Sequence, residues 1–268
     1  LLVNEEGDLH TLLPDRPASA HKGDCGRTVI YAGSLGMAGA AMMAARAALH
    51  AGAGLTTVIC PRAAMPVLQQ EVPNATCLAA EDQPTPKCDA LLMGCGIAEN
   101  DDTYADMMRL KATDAYQVWD AGALNLLAGH PQQLGARAVI TPHAGEAARL
   151  LGWEIPAVLS DKLGAAEALR AKYGCNVVLK SAVTVMLTAD GQQCALNAVG
   201  SPALAKGGSG DALAGILASL LGQGLPMFDA MRAACLWLGL AGIAAGKRCG
   251  VRAALTGDVI DSLGACEG

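Results

Sequence analysis

The stretch RTVIYAGSLGMAGAAMMAARAALHAGAGLTTVICP, residues 27–61, sets the fold class. Residues 27–33 form an apolar run that predicts a strand, residues 37–52 form an alanine-rich run that predicts a helix, and residues 55–61 predict a second strand closed by proline. A helix between two strands is the usual connection between parallel strands. The stretch therefore predicts an α/β fold.

The alternation of strands and helices continues beyond this unit. Four further apolar runs predict strands, at residues 90–94, 116–120, 137–141 and 176–180, and helical patterns separate most of them. Residues 184–196 differ, because Asp190 and Gly191 between two extended runs indicate a hairpin. The prediction is a three-layer α/β/α fold, with helices on both faces of a largely parallel sheet that has an antiparallel edge hairpin.

Residues 1–26 are polar and contain Pro14 and Pro17, so they are expected to form an irregular lead-in rather than a packed element. Residues 27–268 show no internal repeat and no low-complexity linker, which favours a single domain. In open α/β sheets, ligands bind at the carboxyl ends of the strands. The glycine-bearing loops after the predicted strands are therefore the first candidates for a functional site.

The bulk composition argues against several classes of protein. The formal net charge of −6 and the lack of a basic run argue against nucleic-acid binding. The longest apolar tract, residues 233–246, is about four residues too short for a membrane span and predicts a buried helix. Ten cysteines are scattered singly, without zinc-site spacing, so reduced thiols in a cytoplasmic protein are expected.

The stretch AKGGSGDALAG, residues 205–215, concentrates glycine just before a helix. Apolar residues from Leu213 to Leu221 recur at helical spacing, so the glycines form the loop that enters this helix. Free N–H groups and the helix dipole at such an N-terminus make an anion site. Asp211 then has two interpretations: an N-cap of the helix, or a base beside a transferring phosphoryl group.

Three other parts of the chain have a functional and a structural interpretation. The loop at 33–40 could hold phosphate or ribose, or its small residues could serve helix packing. In TPHAGEAARLLG, residues 141–152, His143 could bind a ligand or lie on the surface, and Glu146 could be functional or a first-turn acid favoured by the dipole. Lys180 ends a strand at the edge where ligands are expected, where an ordinary solvated lysine is the alternative.

Seven stretches, in order, carry a family resemblance: AHKGDCG (20–26), GSLGMAGAAMMAARAALHAGAGLTTV (33–58), GCGI (94–97), WDAGALNLL (119–127), TPHAGEAARLLG (141–152), VVLKSAVTV (177–185) and GSPALAKGGSGDALAGILASLL (200–221). Together they closely resemble the ADP- or ATP-dependent NAD(P)H-hydrate dehydratases, which have a ribokinase-like fold. The resemblance implies an enzyme that repairs hydrated NADH and NADPH. Nucleotide-dependent dehydration of (S)-NAD(P)H-hydrate would return NAD(P)H, phosphate and AMP or ADP.

The resemblance also implies roles for individual residues. Asp211 is expected to deprotonate the substrate hydroxyl, while the N–H groups around Gly208 and Gly210 stabilise the transferring phosphoryl group. Glu146 is expected to organise Mg²⁺ through water. The residues expected to bind the hydrated cofactor are Ala40, Gly96, His143 and Asp211, and those expected to bind ADP or ATP are Lys180, Ser181, Ala182, Val183, Thr184 and Gly210.

Two parts of the sequence depart from the family pattern. The nucleotide stretch usually reads Lys-Gly-x-Gly-Thr but contains Ser181 and Val183 here, and Gly122 stands where an aspartate is usual. A ribokinase-like kinase for a thiazole or sugar alcohol, and a non-catalytic nucleotide-binding module, stay open as alternatives. The resemblance further implies a homo-oligomer, commonly a tetramer, and allows an epimerase domain upstream of Leu1 in a bifunctional parent chain.

Overall fold

One mixed sheet runs through the computed structural model, which describes residues 1–267. Within these residues the strands are β1 Leu2–Val3, β2 Arg27–Tyr31, β3 Leu55–Cys60, β4 Thr76–Ala79, β5 Ala90–Met93, β6 Tyr116–Trp119, β7 Ala138–Ile140, β8 Asn176–Leu179, β9 Thr184–Leu187 and β10 Cys194–Asn197. Their order across the sheet is β1-β10-β9-β8-β7-β6-β5-β2-β3-β4. Strands β2 to β8 are mutually parallel, whereas β9 is antiparallel to β8 and β10. The predicted parallel sheet and antiparallel hairpin are both confirmed.

Helices cover both faces of the sheet. They are α1 Leu9–Leu12, α2 Ala38–His50, α3 Met65–Glu71, α4 Asp101–Lys111, α5 Gly122–Gly129, α6 Ala144–Leu151, α7 Ile155–Ser160, α8 Lys162–Tyr173, α9 Ser209–Gly222, α10 Met227–Cys249 and α11 Thr256–Asp261. Short 3₁₀ turns lie at Glu6–Asp8, Arg62–Ala64, Ala80–Asp82, Pro202–Leu204 and Gly264–Cys266. One core layer joins the sheet to α2, α9 and α10, and the other joins it to α4, α5, α6 and α8. The sheet with one helical layer on each face forms the predicted three-layer α/β/α arrangement.

Helix α9 lies at the centre of one layer. Every residue from Ala212 to Gly222 is buried, because the helix lies between the sheet, α2 and α10. A Cβ added at Gly215 would lie 2.2 Å from the backbone oxygen of Ala44 in α2. Glycine and alanine on the two helices thus let their backbones approach closely, and this contact fixes the position of the loop that enters α9.

Helix α10 is longer than the apolar tract suggested. It has 23 residues and is long and apolar enough to cross a membrane by length and composition alone. The expectation that this helix is too short for a membrane span was therefore wrong, because the helix extends beyond residues 233–246 and includes polar residues at both ends. The expectation of a buried helix is confirmed: 67% of the most apolar stretch of α10 is buried inside the chain, where it packs against α9.

The expectation of an irregular lead-in at residues 1–26 was wrong for residues 2–12. Strand β1 pairs in parallel with β10, and α1 packs against α10 through Leu9, which is 1% exposed. Asn4 strengthens this contact, because its Nδ2 donates to Asn197 Oδ1 at 3.1 Å and its Oδ1 accepts from Arg232 Nε at 2.9 Å. A two-residue strand and a four-residue helix are too short to show a period in the sequence, so this segment looked irregular.

Candidate active site

The carboxyl ends of the parallel strands bring the glycine-bearing loops together. Strand β2 lies between β3 and β5, and the loops after β2 and β5 lead to helices in opposite layers, which opens a crevice between them. The N–H of Gly33 donates to the backbone oxygen of Cys95 at 2.8 Å and ties these two loops together. The start of α9 lies beside them, since a Cβ at Gly208 would contact Met43 of α2. The prediction that these loops share one edge of the sheet is confirmed.

Asp211 is the third residue of α9, and Gly208 is the N-cap. Gly208 has a φ of 93°, a left-handed conformation that suits glycine, so the helix begins at Ser209, ahead of Asp211. The N-cap interpretation of Asp211 is therefore wrong. Its carboxylate instead lies in a cluster in which one ligand atom each from Cys95, Asp120 and Asp211 lies within 4.8 Å of the others.

The surroundings of Asp211 shift its acidity. Burial and the nearby charge of Asp120 raise the pKa of Asp211 from its ordinary value of 3.8 to about 6, although the Cys95 thiol and the Lys180 ammonium oppose the shift. A carboxyl group with this pKa is mostly ionised at neutral pH yet accepts a proton more readily than an ordinary aspartate. That property suits a general base.

Lys180 and Asp120 form a buried ion pair beside Asp211. The Lys180 Nζ lies 2.6 Å from Asp120 Oδ1, and Thr141 Oγ1 donates to the same oxygen at 2.7 Å. Burial alone would lower the pKa of Lys180, but the charges of Asp120 and Glu146 outweigh it and leave that pKa raised. Lys180 is thus a fixed cation inside the site, and its interpretation as a solvated lysine at a strand end was wrong.

Gly210 lies directly under this ion pair. A Cβ at Gly210 would lie 3.3 Å from Lys180 Nζ and 3.7 Å from Asp120 Oδ2. Glycine therefore leaves room for the ammonium group to reach the start of α9. The first-turn N–H groups of a helix have no carbonyl partner within it, so Lys180 adds positive charge where the helix already favours an anion.

Asp120 is the site residue that sequence reasoning missed. It follows β6 within WDAGALN and is 1% exposed. Ala121 next to it has φ 47° and ψ −118°, which is a strained conformation for alanine. The backbone at Gly94 packs tightly against Asp120, because a Cβ added at Gly94 would lie 1.8 Å from the backbone oxygen of Asp120. A charged residue at the carboxyl end of a buried parallel strand was the available signal.

His143 and Glu146 begin helix α6 as a reciprocal cap. His143 Nδ1 accepts from the N–H groups of Gly145 and Glu146, at 3.0 and 3.3 Å, and Glu146 Oε2 accepts from the His143 N–H at 2.8 Å. The first-turn interpretation of Glu146 is thereby confirmed. Its buried carboxylate also lies 4.0 Å from Lys180 Nζ, so it contributes negative charge to the same site.

A cavity of about 690 Å³ opens beside this cluster, a size suited to a small-molecule ligand. The expected site residues that line it are His143, Lys180, Ser181, Ala182, Thr184 and Gly210, whereas Val183, Gly208, Asp211 and Glu146 are outside the lining. Ala40 and Gly96 lie in the adjacent crevice, where a Cβ at Gly96 would be 2.8 Å from Ala40 Cβ. A larger opening of about 770 Å³ lies at the opposite edge of the sheet, around Arg27 and Tyr116, and contains none of the expected site residues.

The departures from the family pattern fit the local structure. Residues 181–183 turn without a left-handed backbone conformation, and Thr184 Oγ1 accepts from the Ser181 N–H at 3.4 Å, so this turn does not require glycine. At the other departure, a Cβ on Gly122 would lie 2.7 Å from Ile97 Cγ1. A larger residue at 122 would therefore require Ile97 to move.

The family model and the curated relatives indicate one family. Residues 28–264 match the family described as NAD(P)H-hydrate dehydratase. The bifunctional NAD(P)H-hydrate repair enzyme Nnr of Vibrio cholerae is 39% identical over 243 residues, which are 88% of this chain and 48% of that protein. The ADP-dependent (S)-NAD(P)H-hydrate dehydratase of Neisseria meningitidis is 34% identical over 242 residues, which are 86% of this chain and 79% of that protein. The chain thus spans about half the length of the bifunctional relatives that it matches.

A solved structure gives the same answer for the fold. The ADP/ATP-dependent NAD(P)H-hydrate dehydratase of Bacillus subtilis, co-crystallised with ATP and Mg²⁺, aligns with a TM-score of 0.88 and 26% identity. The alignment covers 98% of this chain and 96% of that one. The chain therefore belongs to the NAD(P)H-hydrate dehydratase family and has the ribokinase-like fold that its motifs indicated.

Proposed function

We propose that this chain removes water from (S)-NAD(P)H-hydrate in a reaction driven by ADP or ATP, and so returns NADH or NADPH, phosphate and AMP or ADP. The observation that carries the proposal is the position of Asp211. A carboxylate with a raised pKa stands at the start of α9, beside a fixed lysine and a cavity of nucleotide size. This combination supports a base at Asp211 next to a site for a transferring phosphoryl group.

Asp211 would accept the proton of the hydroxyl group that hydration places on the nicotinamide ring. The hydroxyl oxygen then forms a bond to the terminal phosphorus of the nucleotide, and the bond from that phosphorus to the rest of the nucleotide breaks. The phosphorylated oxygen next leaves the ring as phosphate, and an adjacent ring carbon gives its proton to the departing phosphate, which restores the double bond. The N–H groups around Gly208 and Gly210 would stabilise charge on the phosphoryl group throughout.

The nucleotide would occupy the cavity beside Lys180. Lys180, Ser181, Ala182 and Thr184 form one side, and Gly210 would bring the helix terminus close to the phosphates. Apolar side chains, including Leu204, Leu213 and Leu238, line the remainder and would contact the adenine ring. The hydrated cofactor would bind in the neighbouring crevice, against Ala40, Gly96, His143 and Asp211.

Glu146 fits a water-mediated contact with Mg²⁺. Its Oε2 accepts from the His143 N–H, and its Oε1, which lies 3.5 Å from His143 Nε2, would accept a hydrogen bond from a water ligand of the ion. Bound to the nucleotide phosphates, Mg²⁺ would neutralise part of their charge. The buried cluster of Cys95, Asp120 and Asp211 fits Mg²⁺ poorly, because a thiol is a soft ligand and the Lys180 ammonium already contacts Asp120.

The proposal also covers the oligomeric state and the cellular location of the protein. We propose a cytoplasmic homotetramer, and a parent protein with an epimerase domain upstream, as the bifunctional relatives suggest. Exposed apolar side chains on and beside α7, among them Trp153, Ile155 and Leu159, are candidates for a subunit contact. Light scattering tests this part, since a monomer at micromolar concentration would contradict it.

The test of the activity uses purified protein, (S)-NADPH-hydrate, Mg²⁺ and either ADP or ATP. We expect the near-ultraviolet absorbance of the dihydronicotinamide ring to recover only when a nucleotide is present, and the Asp211→Asn variant to lack this recovery. A small-molecule kinase would consume nucleotide with a thiazole or sugar alcohol but leave the hydrate unchanged. A non-catalytic module would bind nucleotide but would convert neither the hydrate nor the thiazole or sugar alcohol.

A further inference from the structure

The loop that enters α9 contains two adjacent glycines, Gly207 and Gly208, between residues that line the cavity. Lys206 before them and Ser209 after them belong to the cavity wall. Glycine accepts both signs of φ, so the peptide group between two glycines can adopt two orientations that exchange its C=O and its N–H. One orientation offers a hydrogen-bond donor to an anion, whereas the other offers an acceptor that repels it. An anion site in this loop therefore depends on which orientation is held.

Thr256 makes a contact that selects one orientation. It is the first residue of α11, and its Oγ1 donates to the backbone oxygen of Gly207 at 2.8 Å. Its exposure is 4%, and a Cβ added at Gly208 would lie 3.4 Å from the same Oγ1. The Thr256 side chain thus packs directly against the two glycines, and its hydrogen bond is largely shielded from water.

Helix α11 is itself fixed, so the Thr256 hydroxyl group has a defined position. Ile260 is fully buried, and Arg46 Nη2 of α2 lies 2.7 Å from Asp261 Oδ1. A second hydrogen bond joins the loop to the chain just before α11, because Lys206 Nζ donates to the backbone oxygen of Arg252 at 2.8 Å. The chain around the start of α11 therefore holds the loop at two points.

The Thr256 hydrogen bond determines the direction of the Gly208 N–H. In a planar trans peptide the C=O and the N–H point in opposite directions, so this N–H points away from Thr256 when the Gly207 oxygen points toward it. Within residues 1–267, no backbone acceptor lies within hydrogen-bond distance of the Gly208 N–H or the Gly210 N–H. Both donors are therefore free for a ligand.

We propose that Thr256 is a positioning residue for phosphoryl transfer. Its hydroxyl holds the peptide between Gly207 and Gly208 in the orientation that offers the Gly208 N–H, rather than the Gly207 oxygen, to the terminal phosphate of the nucleotide. The inference rests on the proposed function, in which this loop contacts the transferring phosphoryl group. Thr256 acts through the peptide that it holds, without contacting the nucleotide.

The first experiment measures the affinities for ADP and AMP by calorimetry in wild type, Thr256→Val and Thr256→Ser. The two nucleotides differ in the terminal phosphate, so the ratio of their affinities reports the contact of that phosphate with the loop. Valine has nearly the shape of threonine but lacks the donor. In Thr256→Val the preference for ADP over AMP should fall roughly two- to tenfold, the effect of one hydrogen bond, while the affinity for AMP stays unchanged. Thr256→Ser keeps the donor and should keep the wild-type ratio.

Thr113→Val is the matched control. Thr113 Oγ1 donates to the backbone oxygen of Leu110 at 2.9 Å, so this variant also loses one hydrogen bond from a hydroxyl to a carbonyl. Thr113 lines the opening at the opposite edge of the sheet. Its replacement should lower the melting temperature but leave the ratio of ADP to AMP affinity unchanged. The same pattern in Thr256→Val would mean a merely structural role and would overturn the inference.

Turnover provides a second readout. In Thr256→Val, kcat should fall toward the ~10²- to 10³-fold loss that follows removal of one oxyanion donor, with the KM for the hydrate unchanged, and Thr256→Ser should restore most of it. If wild type fails to dehydrate the hydrate, the proposed function fails, and the ratio of ADP to AMP affinity still tests the inference. A wild type that binds ADP no more tightly than AMP would contradict the inference. If Thr256→Val does not fold, Thr256→Ala removes the same donor, and the same outcomes decide.

Discussion

The Lys180 ammonium lies 2.6 Å from Asp120 Oδ1, and both side chains lie over Gly210 at the start of α9. The two residues come from the carboxyl ends of β8 and β6, on either side of β7. This ion pair joins the sheet to the helix terminus, so it holds a positive charge where the proposed reaction brings phosphate.

Replacing Lys180 with Met should destabilise the fold and abolish nucleotide binding. The substitution leaves the buried Asp120 carboxylate without its cation, which costs about 3 kcal/mol of unfolding free energy. Urea denaturation measures the stability, and calorimetry measures ADP binding. Adding Asp120→Asn should recover most of the stability but none of the binding. A double variant as unstable as the sum of the single ones would show that the pair is not coupled.

Asp211→Asn should make the protein more stable at neutral pH while turnover collapses. The folded-state pKa of about 6 lies above the ordinary value of 3.8, so the stability from this group is fully present below about pH 4 and is lost as pH rises through 6. Above that range the ionised carboxylate destabilises the fold by up to about 3 kcal/mol, and asparagine removes this penalty. Turnover should fall ~10²- to 10⁴-fold, as expected for a lost general base.

Melting temperatures of wild type and Asp211→Asn across the pH range test this directly. The rise in melting temperature of Asp211→Asn over wild type should be largest near about pH 8 and should vanish in acid. Asp229→Asn, which changes a first-turn acid of α10 away from the cluster, is the control and should show no such gain. An Asp211→Asn protein that is less stable than wild type at neutral pH would contradict the assignment of a raised pKa.

Gly210→Ala should weaken nucleotide binding without harming the fold. The new Cβ would lie 3.3 Å from Lys180 Nζ, so the ammonium must shift away from the helix terminus. Alanine within a helix is favoured over glycine by roughly 1 kcal/mol, so stability should hold or rise. Gly129→Ala in α5, where a Cβ meets nothing within 4 Å, should leave ADP binding unchanged. Unchanged ADP affinity in Gly210→Ala would argue against phosphate at this terminus.

Ala121→Gly should stabilise the protein slightly. Alanine at φ 47° and ψ −118° is strained by roughly 1 kcal/mol or more, and glycine relieves the strain at a smaller cost in unfolded-chain entropy. Thermal denaturation measures the change. Gln83→Gly is the matched control, because Gln83 has a positive φ of 48° in the milder left-handed helical region and is not one of the site residues. A destabilised Ala121→Gly would show that the backbone there is not strained.

The sequence predicted the location of the site better than it predicted the contacts between side chains within the site. Parallel strands place their carboxyl ends at one edge, so the order of strands and helices was enough to bring the loops that carry Gly96 and His143 to the same edge, whereas Asp211 follows the antiparallel strand β10. The ion pair of Asp120 with Lys180 joins residues 60 positions apart, and no local pattern encodes it. The start of α9 at Ser209 depended on the left-handed conformation of Gly208, which a sequence allows but does not require.

The short edge strands β1 and β4 were also missed, and the physical reason is the same for both. Leu2–Val3 has too few side chains to show alternation, and both strands form where a neighbouring strand already presents unpaired backbone groups. Leu2–Val3 pairs with β10, and Thr76–Ala79 pairs with β3. Both contacts depend on the assembled sheet.

The most direct test of the central claim follows the oxygen of the substrate hydroxyl. (S)-NADPH-hydrate carrying a heavy oxygen isotope in that hydroxyl is incubated with the protein, Mg²⁺ and ATP or ADP, and the isotope in the released inorganic phosphate is measured by mass spectrometry. The account predicts one labelled oxygen in each phosphate, because the hydroxyl is phosphorylated before it leaves. Label released into water, with unlabelled phosphate, would contradict the account.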